Sequence, residues 1–446
     1  MGKNSNNYWV KSGFFAILQR ISIPVFGVGT FLIIVRTLSP QEMGTWVLFT
    51  STVTIIEVSR NGLIKAALVK YFTEANQLDK PNILAASFYI NLIYTIITQC
   101  ILVFGGEWIG YWLQSDQLGI MLTIYTANAL LFIPFSHFEY VQQANLNFKG
   151  IFISYFIKQG WFFVCIVGLI VFLNQHVTLI DLVWLQTSGV LLGALSSYIT
   201  ARPYLAHIIS PSKKWFKAQF SFGKYGLYTN ISNSALTSTD HMLIGGILST
   251  ASVAIHNVAA RITNVFIIPS VAVADILYPK TVQANDQNGV GGVKDLYAKA
   301  VGATLVPMVP VIIAVELLPD LFIRVLAGEQ YLSATLILRV TILSILFTPF
   351  LKQFGTVVNT LNKPQLNFYF VLAIAIFNIG LNYVCIITMG LVGGAVATLI
   401  SYIVAFVASQ YILHRIADIS TRDVLIQTIN FYIRLFKWSK KKLITS

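Results

Sequence analysis

Twelve runs of roughly twenty apolar residues follow one another along the 446-residue chain, each separated from the next by a short polar connection. They cover 11–35, 44–66, 83–104, 118–138, 151–173, 178–201, 222–247, 252–278, 298–318, 332–354, 366–388 and 391–413. A helix rises about 1.5 Å per residue, so each run is long enough to cross the ~30 Å hydrocarbon core of a bilayer. Composition agrees: 56% of the residues are apolar and 11% charged, where a soluble domain carries about 25% charge. So little charge cannot coat a soluble enzyme of this size, and it excludes disorder, coiled coil and collagen equally. The expectation is an all-α polytopic membrane protein of about twelve transmembrane helices.

The formal charge of +13 sits mainly in the connections, as topology signals do, and not in a patch suited to nucleic acid. With the N-terminus inside, 24 of the 30 basic residues fall on the cytoplasmic side, Lys65 and Lys158 counted among them. The outer side holds only Arg36 and Arg324, and Arg20, Arg60, Arg261 and Arg339 lie within runs. This bias predicts that both termini are cytoplasmic. Cys100, Cys165 and Cys385 all lie in apolar runs without a Cys/His cluster, so neither a disulfide framework nor a metal site is expected. The first run carries Arg20 and Pro24 and no cleavage site follows it, which argues against a signal peptide.

The longest inner connection, 202–221, contains "SPSKKWFK" and divides the chain into an N-terminal six-helix lobe (1–201) and a C-terminal one (222–413). At an offset of 210, Ile21, Ser22, Ile34, Leu38 and Ser39 recur as Ile231, Ser232, Ile244, Leu248 and Ser249. Both copies enter the membrane in the same direction, as in a parallel repeat, and a parallel repeat places a site where its halves meet. The tail, 414–446, mixes Phe, Tyr, Trp and Ile with Arg and Lys. It reads as a basic amphipathic helix on the cytoplasmic leaflet that anchors or regulates and takes no part in transport.

Polar residues inside spans are costly and face protein or a hydrated cavity. Asn230, Asn233, Ser234, Thr237 and Asp240 share one face of the seventh run, and Asn257, Arg261, Asn264 and Asp275 one face of the eighth. Thr50, Thr54, Glu57 and Asn61 form a stripe on the second, and Asn367, Asn378 and Asn382 one on the eleventh. Interhelical hydrogen bonding is one reading of these stripes, and a cavity with an ion pathway the other. Glu57, Asn230, Asn233, Asp240, Asn257, Asn264, Asp275 and Asn382 are the candidates for cavity polarity or ion coupling. For Arg20 a salt bridge to Glu57 competes with a cavity role, and for Arg60 an i,i+3 pair with the same Glu57. "NGVGG" (288–292) is no phosphate loop, since no G-K-S/T follows.

Five stretches carry a resemblance: "RTLSPQEMGTW" (36–46), "QQANLNFKG" (142–150), "TSTDHMLIGGILSTASVAIHNVAARI" (237–262), "LAGEQYLSATLILRV" (326–340) and "LVGGAVATLIS" (391–401). In this order they resemble the polysaccharide (O-antigen, Wzx-type) flippases of the MOP superfamily, which also holds lipid II flippases and MATE exporters. Asn145 replaces a basic residue of that pattern, and His256 stands where the family commonly has Tyr. The resemblance implies a MATE-like fold of two six-helix lobes. It implies a secondary transporter, not an enzyme, with no cofactor, in the bacterial inner membrane. Its substrate would be an undecaprenyl-pyrophosphate-linked oligosaccharide, flipped outward by alternating access, with H⁺ or Na⁺ as a coupling ion. Membrane lipids and glycan polymerase machinery are the implied partners. Arginine grips phosphate oxygens in pairs, so Arg20, Arg60, Arg261 and Arg339 are the expected head-group ligands, with Arg20 and Arg261 contributing one from each half. A MATE-type exporter is the alternative, disfavoured because four arginines accompany the buried carboxylates. A membrane glycan polymerase or acyltransferase comes third, since the outer loops are short and the histidines scattered.

Overall fold

A computed structural model describes residues 3–205, 212–361 and 363–445, which are helical almost throughout. Each of the twelve apolar runs lies on helix, although two are interrupted. Eight helical segments among the described residues are long and apolar enough to cross a membrane. The other four runs are the first, second, seventh and eighth; Ile21–Thr37 of the first is a shorter apolar helix, α8 of the eighth has only 16 residues, and the second and seventh carry polar stripes. The chain divides into two compact units, 1–238 with 249–253 and 239–248 with 254–446. Residues 206–211 of the expected linker lie outside the described residues.

Unit 1 contains α1 (Lys3–Thr37), α2 (Pro40–Glu74), α3 (Lys80–Trp112), α4 (Asp116–Ala144), α5 (Phe148–Ile166, continued by a wider turn Val167–Phe172), α6 (Leu179–Ala201) and α7 (Lys213–Ile247) as far as Ser238. α4 is its centre, packed by α2, α3 and α6. The start of α2 explains the 36–46 motif. Ser39 accepts from the Glu42 amide at 3.3 Å, Glu42 Oε2 accepts from the Ser39 amide at 2.9 Å, and Pro40 occupies the first turn. This reciprocal cap satisfies amides that no earlier carbonyl reaches.

Further along, α2 and α7 approach backbone to backbone. A Cβ on Gly226 would stand 2.2 Å from the Gly62 carbonyl oxygen. Beside that contact Asn230 Nδ2 donates to the Val58 carbonyl at 2.8 Å, so Asn230 serves helix association. On the outside of α3, Ile93, Ile96, Ile97, Ile101 and Phe104 are exposed, a face suited to lipid chains.

Unit 2 holds the end of α7, α8 (Thr250–Val265, from Ala254), α9 (Ile268–Leu317), α10 (Pro319–Leu326), α11 (Thr335–Leu343), α12 (Thr348–Thr360), α13 (Pro364–Met389), α14 (Leu391–Ala417) and α15 (Thr421–Thr445). The eighth run is not one helix: it breaks at Phe266–Ile267 and resumes in α9, which is itself broken at Gly289, where φ is +59°. Pro269, which has no amide hydrogen to donate, opens the new helix. The tenth run tightens into a 3₁₀ turn at Ser344–Leu346, just before Pro349. α15 is also more than a surface anchor. Its first turns dock along α9, where Val424 and the preceding Ile419 join the core of Val301, Leu305, Phe354 and Leu413. Tyr432 donates to the Val306 carbonyl at 2.7 Å. The outward residues Leu425, Ile426, Ile429 and Ile433 stay exposed, the face left for lipid.

Candidate functional site

Arg60 heads the list of large side chains that unit 1 buries completely, at 0% exposure. Burying a guanidinium demands partners for its five N–H groups, yet Nε, Nη1 and Nη2 find no hydrogen-bond acceptor. What surrounds it is aromatic: its Cζ lies 5.0 Å from the Phe132 ring centre and 5.8 Å from that of Tyr94. Lys158 approaches the same ring, its Nζ 4.7 Å from Phe132, 4.9 Å from Phe135 and 5.6 Å from Tyr155. Phe132 is therefore shared by two cations, a costly arrangement unless an anion compensates it.

The nearby carboxylates are engaged elsewhere. Glu139, buried on α4, pairs with Lys65 Nζ at 2.9 Å and accepts from the Tyr155 hydroxyl at 2.9 Å. Glu57 accepts from the Tyr125 hydroxyl at 3.3 Å. Asn61 accepts from Tyr140, and Tyr94 donates to the Ile56 carbonyl at 3.0 Å. The i,i+3 hydrogen bond from Arg60 to Glu57 is not made. Among the described residues of this cluster three cations, Arg60, Lys65 and Lys158, face two carboxylates, Glu57 and Glu139, an excess of one positive charge, and Arg60 makes no hydrogen bond to either. Lys65, Glu139 and Lys158 lie toward the helix ends joined by the 75–79 and 145–147 connections, while Glu57 and Arg60 lie near the middle of α2.

Unit 2 gathers a second cluster, richer in oxygen. Asp240 Oδ2 accepts from Thr398 Oγ1 at 2.9 Å, while its Oδ1 has no partner. Asn378 donates to Ser401 at 3.1 Å and Asn382 to the Asn378 carbonyl at 3.1 Å, leaving both side-chain oxygens unpartnered. On α8, Asn257 hydrogen-bonds His241 Nε2 at 3.2 Å and also keeps a free Oδ1. Four side-chain oxygens, of Asp240, Asn257, Asn378 and Asn382, are thus without donors, one of them on a carboxylate.

The other expected residues fall apart from these clusters. Arg261 and Asn264 lie on the exposed side of α8, Asn233 is exposed on α7, and Arg339 is exposed on α11. The side chains of Arg20, Thr237 and Asp275 lie outside the described residues. Lys158, counted above with the cytoplasmic flank, stands ten residues inside α5, and Lys65 nine residues before the end of α2. Both positions lie within the apolar runs, Lys65 at the edge of 44–66 and Lys158 well inside 151–173, where a cation is itself a signal. Glu139 and the tyrosines carried none, because a single acid or phenol near a span end is ordinary.

The whole-chain architecture recurs in solved structures. A lipid II flippase, MurJ, in an inward closed conformation superposes with a TM-score of 0.78 over 95% of this chain and 91% of that one, at 15% identity. An inward-facing MATE family multidrug transporter of the MOP superfamily gives 0.74 over 88% and 96%, also at 15% identity. The molecule thus shares the fold of these membrane transporters. More particularly, residues 33–336 match the profile described as polysaccharide biosynthesis protein, and the chain belongs to that family. Among curated proteins it is 23% identical over 209 residues to the probable low-salt glycan biosynthesis flippase Agl15 of Haloferax volcanii, covering 47% of this chain and 44% of that protein. The probable flippase AglR of the same organism is 24% identical over 219 residues, covering 48% and 45%. The chain thus spans less than half the length of the curated relatives it matches.

Proposed function

We propose that this multi-pass membrane protein flips a lipid-linked oligosaccharide between leaflets by alternating access, with no chemistry performed on the substrate. The observation that carries this reading is the pair of cations about one aromatic ring in unit 1, Arg60 and Lys158, in a cluster with one more cation than carboxylates. A pyrophosphate presents two anionic groups a few ångströms apart, a spacing that two cations beside one ring match. The flippase relatives and the family description support the same substrate class. The excess of cations over carboxylates in this cluster opposes the alternative, an exporter of organic cations. The oxygen set about Asp240 serves as the place for a coupling cation. Basic residues concentrate in the connections assigned to the inner side, which supports a cytoplasmic loading side and cytoplasmic termini.

The test is flipping of a fluorescent polyprenyl-pyrophosphate-linked sugar in liposomes, read by chemical quenching of the outer leaflet. Arg60→Gln and Lys158→Met are each expected to lower the rate about 10- to 100-fold, because a charge-assisted bond to phosphate is worth about 1.5–3 kcal/mol. Arg60→Lys, keeping charge without the fork, should fall between. Wild-type rates in Arg60→Gln at normal abundance would refute the assignment.

A further inference from the structure

The first turns of α7 carry two faces of opposite character. Trp215, Gln219, Gly223, Gly226 and Asn230 fall within about 80° of one another at 100° per residue, and unit 1 engages them all. Trp215 Nε1 donates to Asp79 at 3.2 Å and Gln219 Nε2 to the Ile83 carbonyl at 2.8 Å. Gly223 lies against the Leu63 carbonyl with no room for a Cβ. These contacts fix the rotation of α7. Lys213, Lys217, Phe220, Lys224, Tyr228 and Ile231 share a second sector of about 80°, turned about 140° away from the first. Phe220, Tyr228, Ile231, Lys213 and Lys217 are exposed, and Lys224 is half-buried. From Lys213 to Thr239 the chain has four lysines and no acid. Among the described residues none of the four meets a carboxylate. On the flank, Lys70 of α2 holds its Nζ over the Phe222 ring at 4.7 Å, another cation at the same end. Asp79, the nearest acid, is taken by Trp215.

We propose that this face of α7 binds an anionic glycerophospholipid of the cytoplasmic leaflet, its phosphodiester between Lys217 and Lys224 and its chains along Tyr228 and Ile231. Charge bias alone places lysines in inner connections, but it neither gathers them on one helix face nor keeps acids away from them. Lys217 and Lys224 are two turns apart, about 10 Å, and their flexible four-carbon stems let both ammonium groups reach one phosphate. Lysine is a hydrated point charge without arginine's fork, which suits a single phosphodiester at a wet surface better than a desolvated pyrophosphate. Tyr228 and Ile231 stand one and two turns deeper than Lys224. There an amphipathic ring meets the glycerol level and an aliphatic side chain meets the acyl chains. The site goes beyond the transport reading, since its lipid stays in one leaflet.

The test titrates the full-length protein, in a neutral detergent, with phosphatidylglycerol or with phosphatidylcholine of the same chains, and counts bound lipid by native mass spectrometry. Phosphatidylglycerol should bind at concentrations at which phosphatidylcholine does not. A lysine near an anionic lipid surface is worth roughly fivefold in affinity, so Lys217→Gln with Lys224→Gln should weaken phosphatidylglycerol about 25-fold and leave phosphatidylcholine unchanged. Lys217→Arg with Lys224→Arg keeps both charges and should keep most of the binding. Lys149→Gln with Lys363→Gln removes two exposed lysines elsewhere and should match the wild type. Equal binding of the two lipids, an equal loss in the Lys149 and Lys363 control, or loss in the arginine pair would each overturn the proposal. A polyprenyl diphosphate that displaces phosphatidylglycerol at lower concentration would give the face to a transported lipid and overturn it as well. No flipping is measured, so the site can fail while the flippase stands, and the flippase can fail while the site stands.

Discussion

Replacing Gly226 by alanine tests whether the α2–α7 contact is as intimate as its backbone distances say. The new Cβ would stand 2.2 Å from the Gly62 carbonyl oxygen, and the reverse change, Gly62→Ala, places one 2.4 Å from the Gly226 oxygen and 2.7 Å from Asn230 Nδ2. Both obstacles are backbone, so no rotamer relieves them, and the helices must part by about 1 Å to reach ordinary contact. That movement stretches the 2.8 Å bond from Asn230 to the Val58 carbonyl beyond hydrogen-bond length. Overpacking costs about 1–3 kcal/mol and an interhelical bond in a membrane about 0.6 kcal/mol. Against this, alanine gains up to about 1 kcal/mol over glycine in a helix interior. The net expectation is a loss of about 1–3 kcal/mol. Gly105→Ala is the control, because nothing lies within 4 Å of its added Cβ, and it should be neutral or stabilising. The assay is unfolding in mixed micelles by graded addition of dodecyl sulfate, read by tryptophan fluorescence. A double-mutant cycle sharpens it: Asn230→Ala should cost less in the Gly226→Ala background than alone, because the bond is already broken. Gly226→Ala matching Gly105→Ala in stability, or full additivity with Asn230→Ala, would refute the reasoning.

Three further outcomes are expected. Truncation at Asp418 removes Ile419 and Val424, both at most 1% exposed, and should lower stability by several kcal/mol; wild-type stability of the truncated chain would show that α15 is dispensable. Asp240→Asn keeps an acceptor for Thr398 while removing the charge, so folding should hold within about 1 kcal/mol and any cation dependence of flipping should disappear; persistent cation dependence would exclude Asp240. Reporter fusions at Lys80, Gln114 and Ser446 should read inside, outside and inside, and an inside signal at Gln114 would reverse the proposed orientation.

The spans were legible because twenty apolar residues in succession have few other uses, and each run drawn from the sequence does lie on helix. Arg60 and Asp240 were legible for the complementary reason, as charges in places that charges avoid. What escaped depended on three dimensions. The charge bias alone places Lys158 on a flank, because positive residues near span ends are common, and its approach to Phe132, Phe135 and Tyr155 distinguishes it. The break at Phe266–Ile267 follows from Pro269, but that proline sits inside an apolar run whose hydropathy conceals the interruption. Asn230 was grouped with Asp240 by helical periodicity, although the structure uses the first to bind α2 and buries the second in the other unit. Periodicity reports a shared face, not a shared neighbour. The amphipathic tail illustrates the same limit, since the alternation that suits a lipid surface also suits docking on α9.

The division of α7 between the two units bears on how the molecule can be made. Residues up to Ser238 complete unit 1, although the connection at 206–211 precedes α7 altogether. A ribosome that has released only the first six membrane helices has therefore not yet supplied everything the first unit needs. Its α2 would wait in the bilayer with the Gly62 carbonyl and Val58 carbonyl uncovered until the seventh helix left the translocon. Two polypeptides produced by cutting the gene at the 206–211 connection would consequently not be two independent products. The second fragment would carry a missing part of the first, giving assembly inside the membrane a built-in order and a built-in checkpoint.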